Sequence, residues 1–325
     1  MHILVTGAAG FIAARTIELL LASGHRVTGL DNLNDTYDVR LKEWRLRQLA
    51  GRPGFEFIRA DIIRPAELAA IWQARPPFEA VINLAARAGV RQSVADPLAY
   101  YETNLTGTLN LLELCRQNGT GKFVLASTSS LYGAHNPMPY REDADTSRPL
   151  SPYAASKKAA ETLCYTYHFL FGLDVSVLRF FTVYGPAGRP DMSLFRFVQR
   201  ISEGQPITVF GDGSQTRDFT YVDDIARGVV AALQPVGYAI INLGSDKPTQ
   251  LSDAIRLVER LTGRAAIVER APVHPADVPA TWADISLAGE LLGWEPQVAL
   301  ETGVQDLVAW YQAERSWASQ VNTGQ

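Results

Sequence analysis

Tyr153 and Lys157 stand four residues apart in the run Tyr-Ala-Ala-Ser-Lys. On a helix that spacing puts a phenol and an ammonium on one face. A free phenol titrates at about pH 10, and a neighbouring positive charge stabilises its anion. A shift of about 3 units, ~4 kcal/mol, makes such a phenol a general base near neutrality. With only 12 tyrosines and five lysines in the chain, the pair is not a frequent accident. Twenty-five residues before Tyr153, Thr128 stands with Ser127, Ser129 and Ser130 at the end of an apolar run, where hydroxyls can reach the same substrate oxygen. The second constellation is Gly7-Ala8-Ala9-Gly10-Phe11-Ile12-Ala13, directly after Ile3-Leu4-Val5-Thr6. Glycines there permit a tight turn and close approach of the backbone to a pyrophosphate, which the free N–H groups of a helix start attract. Asp31 ends the next apolar run. A carboxylate at that point accepts from ribose hydroxyls and repels a 2′-phosphate, so the pattern predicts NAD rather than NADP.

These residues need rigid elements behind them. Short apolar runs at Val27–Leu30, Phe55–Ala60, Ala80–Ala86, Phe123–Ser127 and Val175–Phe181 read as buried strands, and helix-period segments such as Leu98–Arg116 and Tyr153–Phe171 lie between most of them. Strand alternating with helix predicts an α/β fold, a Rossmann-type parallel sheet wound on both faces. The Gly- and Pro-dense loop at 185–190 marks a change of texture. The reading is a cofactor domain over 1–180, with segments at about 218–246 returning to its sheet, a smaller mixed α/β substrate domain over 181–315, and a frayed tail over 316–325. The later elements are predicted as helices near Met192–Ser202, Tyr221–Leu233, Ser252–Leu261 and Leu300–Glu314, with a strand at Ile240–Leu243.

Composition excludes several classes. A net charge of −4 without a Lys/Arg block argues against nucleic acid. No apolar run approaches the length of a membrane span, and the first residues lack a signal pattern. Cys115 and Cys164 stand far apart with no CxxC pairing, which points to a reducing cytoplasm and away from a metal site.

The chain resembles the extended short-chain dehydrogenase/reductases and, within them, nucleotide-sugar 4-epimerases, above all those acting on UDP-glucuronate. The likeness runs through Asp31–Asp38 (Asp-Asn-Leu-Asn-Asp-Thr-Tyr-Asp), Ala85–Arg91, Arg179–Pro186, Gly188–Met192 (Gly-Arg-Pro-Asp-Met), Arg217–Asp224 and Asp277–Thr281. The Arg-Pro-Asp-Met element is the most specific to uronate epimerases. The resemblance implies Tyr153 as base, with an oxidised nicotinamide also favouring its phenolate, Lys157 as its electrostatic partner and Thr128 as the hydroxyl bridging to the sugar. It implies Gly7, Ala9, Gly10, Phe11, Ile12, Asp31, Asn32, Asp61 and Ile62 around the adenosine half of NAD. Leu84, Ala85, Ala86, Asn104, Tyr153, Lys157 and Phe180 would border the nicotinamide side, with Asn104 alternatively a structural kink. The UDP-sugar would meet Arg87, Thr128, Ser129, Ser130, Thr182 and Arg189, with Val209 near the uracil and Arg217 and Asp277 on the diphosphate and ribose. Arg217 has a second reading, as partner of its neighbour Asp218.

The chain departs from the family's usual pattern in Arg87, where relatives carry Gln, in Ala13 and Ala276, where they carry Gly, and in Ala187, near a usual Trp; His274 occupies a further variable position. Arg87 faces either the sugar or solvent. Three related chemistries begin with oxidation at C4. A 4,6-dehydratase needs Asp-Glu after the threonine and a uronate decarboxylase needs Glu in the second of those positions; here they are Ser129 and Ser130. The implied activity is therefore UDP-glucuronate 4-epimerisation, with UDP-glucose 4-epimerisation, decarboxylation and a non-catalytic NAD-binding regulator as alternatives. The resemblance also implies a homodimer joined through helices at about Leu98–Arg116 and Tyr153–Phe171.

Overall fold

The computed structural model describes residues 1–273 and 277–324, so His274 and Ala276 lie outside the described residues. Six strands come first: β1 (His2–Thr6), β2 (Arg26–Asp31), β3 (Phe55–Arg59), β4 (Ala80–Asn83), β5 (Lys122–Thr128) and β6 (Asp174–Phe180). Six more follow: β7 (Thr182–Tyr184), β8 (Pro206–Phe210), β9 (Thr216–Tyr221), β10 (Tyr238–Leu243), β11 (Pro248–Gln250) and β12 (Ile267–Ala271). β10 joins the first six in one parallel sheet of order β10-β6-β5-β4-β1-β2-β3. The remaining strands form a three-stranded sheet, β11-β9-β7, and a parallel pair, β12-β8.

The early helices are α1 (Phe11–Ala22), α2 (Val39–Leu49), α3 (Pro65–Gln73), α4 (Val90–Ala95), α5 (Pro97–Tyr101), α6 (Gly107–Asn118) and α7 (Pro152–Phe171). Then come α8 (Ser193–Ser202), α9 (Val222–Ala231), α10 (Leu251–Thr262), α11 (Ser286–Leu292), α12 (Leu300–Ala313) and α13 (Arg315–Ala318). Strand side chains alternate between two apolar layers. Ile3, Val5, Ile82 and Val124 pack with α1, α9 and α11, and Leu4, Val81, Leu125 and Val177 pack with α3, α6 and α7. Burial on both faces explains why these strands read as unbroken apolar runs. A third core joins α8, α10 and α12 to Ile207 and Val209.

Two expectations need correction. The helix predicted over Leu98–Arg116 is α5 and α6 joined through a π-helical turn at Glu102–Thr106, which carries the buried Asn104. The end after Ser316 is packed rather than frayed: α13 turns the chain back, and Ala318 and Val321 join the third core. Among the described residues, no helix is long and apolar enough to cross a membrane.

Candidate active site

The carboxyl ends of the large sheet open into a cavity of about 650 Å³ that extends under the smaller sheets. Parallel strands all point their carboxyl ends to one rim, and this rim is where such sheets bind ligands. At one end lies the glycine turn. Gly7 has φ of +70°, and a Cβ there would lie 2.8 Å from the Ala85 nitrogen; a Cβ on Gly10 would lie 2.7 Å from the Gly7 oxygen. Only glycine lets the turn tuck under the β4 loop while leaving Phe11, Ile12 and Ala13, the first uncapped turn of α1, on the cavity wall. Asp31 is also on the wall, its carboxylate accepting from the backbone N–H of Ala9 (3.1 Å) and of Leu33 (2.8 Å). Asn32 donates to Asp61 across the same rim at 2.8 Å. A helix start, a glycine cradle and a ribose-height carboxylate together fit an adenine dinucleotide.

The centre is built from β5, α7 and the loop after β6. Thr128 ends β5, and its hydroxyl caps the 3₁₀ turn Ser129–Tyr132, accepting from the Ser130 N–H (3.2 Å) and meeting the Ser130 hydroxyl at 3.1 Å. Tyr153 and Lys157 come from the first turns of α7, which Ser151 caps. Burial pushes the Tyr153 phenol up, against the opposing pull of the Thr128 hydroxyl and the positive charge of Arg189. Lys157 is buried, and desolvation pushes its ammonium down to about 8, despite Cys164 and Glu161. The chain's own groups therefore leave the phenol above its ordinary value, and the nicotinamide charge is the other half of the expected stabilisation. Behind this centre, Glu161 accepts from Ser127 (2.6 Å) and, in a bidentate pair, from the buried Arg179 (3.0 and 2.8 Å), which ties β5 to α7.

The far end is cationic: Arg91, Arg189, Arg196 and Arg217 all line it. Arg189 pairs with Asp191, and Arg91 pairs with Asp277 while lying 3.7 Å over the Phe210 ring. Burial pushes the Arg217 guanidinium down, with Asp277 and Tyr140 opposing. Arg217 bonds the Thr216 and Pro279 carbonyls, whereas Asp218 accepts from Ser245, Asp246, Ala283 and Thr220, so the neighbours do not pair.

With this geometry in view, residues 3–244 match the model of the NAD dependent epimerase/dehydratase family. The chain belongs to that family. It is 55% identical over 310 residues to a UDP-glucuronate 4-epimerase of Thermodesulfobacterium geofontis, spanning 95% of each chain. Its structure superposes on a UDP-glucuronic acid 4-epimerase from Bacillus cereus, crystallised with UDP-glucuronic acid and NAD, at a TM-score of 0.91 and 39% identity, covering 97% of this chain and 100% of that one. A UDP-glucose 4-epimerase of Thermotoga maritima with UDP-glucose gives 0.89 at 31% identity, again covering 97% and 100%.

Within this epimerase/dehydratase frame, most of the sequence-predicted residues line the one cavity: Gly7, Gly10, Phe11, Ile12, Asp31, Asn32, Asp61, Ile62, Leu84, Ala85, Ala86, Thr128, Ser129, Ser130, Tyr153, Lys157, Phe180, Thr182, Arg189, Arg217 and Asp277. Four do not. Ala9 is buried behind the turn, its N–H on Asp31 and its carbonyl on Arg45. Asn104 is fully buried and clamps the Arg87 backbone in both directions (2.9 Å each) while reaching Ser156 at 3.0 Å, so it shapes the loop rather than the wall. Arg87 is held there by its main chain and is absent from the wall. Val209 points into the core, and its strand neighbours Thr208 and Phe210 face the cavity.

Sequence reasoning missed Lys42, Arg45, Arg91, Arg196 and Phe210 as site residues. Arg45 is buried and donates to the Ala187, Gly188 and Ala9 carbonyls and to Tyr37, binding the 185–190 loop to the glycine turn. A buried arginine inside a polar helix carries no sequence signal of that role. Arg91 did carry one, inside the quoted Ala85–Arg91 stretch.

Proposed function

We propose that this chain interconverts UDP-glucuronate and UDP-galacturonate at C4. The observation that carries the reading is the centre itself: Tyr153, Lys157 and Thr128 face a cavity in which the two residues after the threonine are hydroxyls, and the opposite wall is cationic. The relatives from Thermodesulfobacterium geofontis and Bacillus cereus, both UDP-glucuronate 4-epimerases, support it. Gly7, Gly10, Asp31, Asn32, Asp61 and Ile62 would hold NAD, which when bound supplies reversible hydride acceptance from C4 and a positive charge that lowers the buried phenol. Tyr153 takes the proton of the 4-hydroxyl as the sugar becomes a 4-ketone, and returns it to the same oxygen once the opposite face has been reduced. Thr128 orients that oxygen. A 4-keto uronate is a β-keto acid, and it loses CO₂ when the carboxylate bond aligns with the carbonyl; donors on Ser129 and Ser130 hold the carboxylate out of that alignment.

Exposed apolar side chains on α5 and α7 also support a homodimer. Leu98 of α5 and Phe169 and Leu170 of α7 are 76%, 73% and 60% exposed, on the helices implied as the contact. The deciding experiment offers UDP-glucuronate, UDP-glucose and UDP-xylose to the purified protein and identifies products by NMR, using 4-deuterated UDP-glucuronate. The expected product is UDP-galacturonate with its deuterium retained. Faster turnover of UDP-glucose would replace this reading by the neutral-sugar epimerase, and release of CO₂ with a UDP-pentose would replace it by a decarboxylase.

A further inference from the structure

The segment expected to fray is the most unexpected part of the cavity. Thr323 and Gly324 line it, as do Arg196, Phe197 and Thr208, and Arg200, one turn along α8 from Arg196, reaches Thr323. Three anchors hold the segment there. The buried Gln199 amide of α8 donates to the carbonyls of Ala318 (2.9 Å) and Val321 (2.7 Å). One guanidinium, Arg200, reaches the Gly324 carbonyl (2.8 Å) and the Pro206 carbonyl at the start of β8 (3.0 Å). From the other side, Arg40 of α2 donates to the side chain and carbonyl of Gln320, both at 3.1 Å. Ala318, Val321 and Thr323 are buried while Asn322 and Gly324 are exposed, the pattern of a segment laid against a wall. A frayed end makes no such set of bonds.

The chemistry at its tip is unfinished. Thr323 accepts a long bond from Arg200 Nε (3.4 Å), but its hydroxyl proton goes to no described residue. One turn before Arg200 on α8, Arg196 Nε is buried without a hydrogen-bond partner among the described residues. A buried donor without a partner is costly, and an anionic, hydroxyl-rich ligand removes that cost. Arg200 is committed to these carbonyls and to the Thr323 oxygen, which leaves Arg196 Nε and the Thr323 hydroxyl proton without an acceptor among the described residues.

We propose that residues 319–324 form the closing wall of the nucleotide end of the cleft, with Thr323 and Arg196 holding the diphosphate-ribose half of the substrate. This rests on the UDP-sugar reading above. It makes the segment a determinant of substrate affinity rather than of the chemical step, and it acts only on the ligand's nucleotide half.

The test begins with the native holoenzyme and UDP itself. Amide exchange over residues 318–324 is expected to slow by about fivefold or more when UDP is added. Ending the chain after Val321 is expected to raise KM for UDP-glucuronate and Kd for UDP by about fivefold or more, the size of one or two hydrogen bonds, with kcat within about twofold. Thr323→Val, which keeps the shape, is expected to show a smaller rise in the same two constants. If UDP binds the native protein yet leaves exchange in this segment unchanged and binds Thr323→Val equally well, the inference fails and the UDP-sugar reading stands. Protection by added NAD and not by UDP likewise overturns it. If the native protein does not bind UDP at all, both fall together.

Discussion

The two ends of the cavity are built in opposite ways. The cofactor end is largely backbone: a glycine turn and the uncapped start of α1, with the Asp31 carboxylate at the tip of β2 and the Asn32–Asp61 bond beside it. The nucleotide end is made of side chains drawn from α4, α8, β8, β9, the Asp277 loop and the segment after α13. The first recognises a ligand through amides whose positions the fold guarantees. The second presents guanidiniums, of which Arg91 and Arg189 pair with Asp277 and Asp191 while Arg217 bonds carbonyls. Backbone sites tolerate little change at glycine and much elsewhere, and side-chain sites the reverse.

Between them sits the chemistry, where the largest effect is expected. Tyr153→Phe should lower kcat by about a hundredfold or more while UDP-glucuronate still binds, as read by steady-state kinetics beside calorimetry. Undiminished kcat would place the proton transfer elsewhere. Lys157→Met should also cost rate, by tens of fold, but with the opposite sign on stability. The folded ammonium titrates at about 8 against an ordinary 10.5, so its desolvation penalty is complete below pH 8 and is relieved as pH rises toward 10.5. The variant should therefore gain on the order of 2–3 kcal/mol over wild type in urea melts at pH 7, and the gain should shrink by pH 10.

At the cofactor end, Asp31 lies 3.7 Å from the buried Lys42. Wild type should prefer NAD over NADP by about tenfold or more. Asp31→Ala should erase that preference, because Lys42 then offers its charge to a 2′-phosphate, and adding Lys42→Ala should remove NADP binding again. Calorimetry of the two cofactors decides it. The smallest effect belongs to the nucleotide end. Phe210→Ala should raise KM a few-fold (about 1 kcal/mol) by removing the surface under Arg91, with little change in melting temperature. Val209→Ala should do the reverse, costing about 1–3 kcal/mol of stability and leaving KM alone. Matching phenotypes at 209 and 210 would mean the strand does not separate cavity from core.

That last pair shows what the sequence could reveal. The glycine turn, Asp31, Tyr153 and Lys157 were legible because each depends on spacing within one element or one turn. The parity of β8 was not: Pro-Ile-Thr-Val-Phe carries apolar residues on both faces, so it does not say which face meets the core and which the cavity. Asn104 reads as a polar residue inside an apolar helix, and only the fold brings the Arg87 backbone to it across 17 positions. The balance of forces on Tyr153 is likewise beyond what spacing gives. Spacing places an ammonium near a phenol, but the cost of burying both depends on everything packed around them. After Ser316, a polar composition suggested disorder, and the anchors that order it lie more than a hundred residues away on α8 and α2.

The Arg40–Gln320 tie joins residues 280 apart in sequence. During synthesis at about 5–20 residues per second, the glycine turn and β1 to β6 emerge many seconds before that tie can form. β10, at the edge of the large sheet beside β6, also arrives only after three strands of the smaller sheets have been made. The strands that carry the glycine turn and Asp31 are thus made first, but the face they share with α1 is completed only by α9 and α11, from residues 222–231 and 286–292. Both ends of the cleft therefore reach their final form late in synthesis.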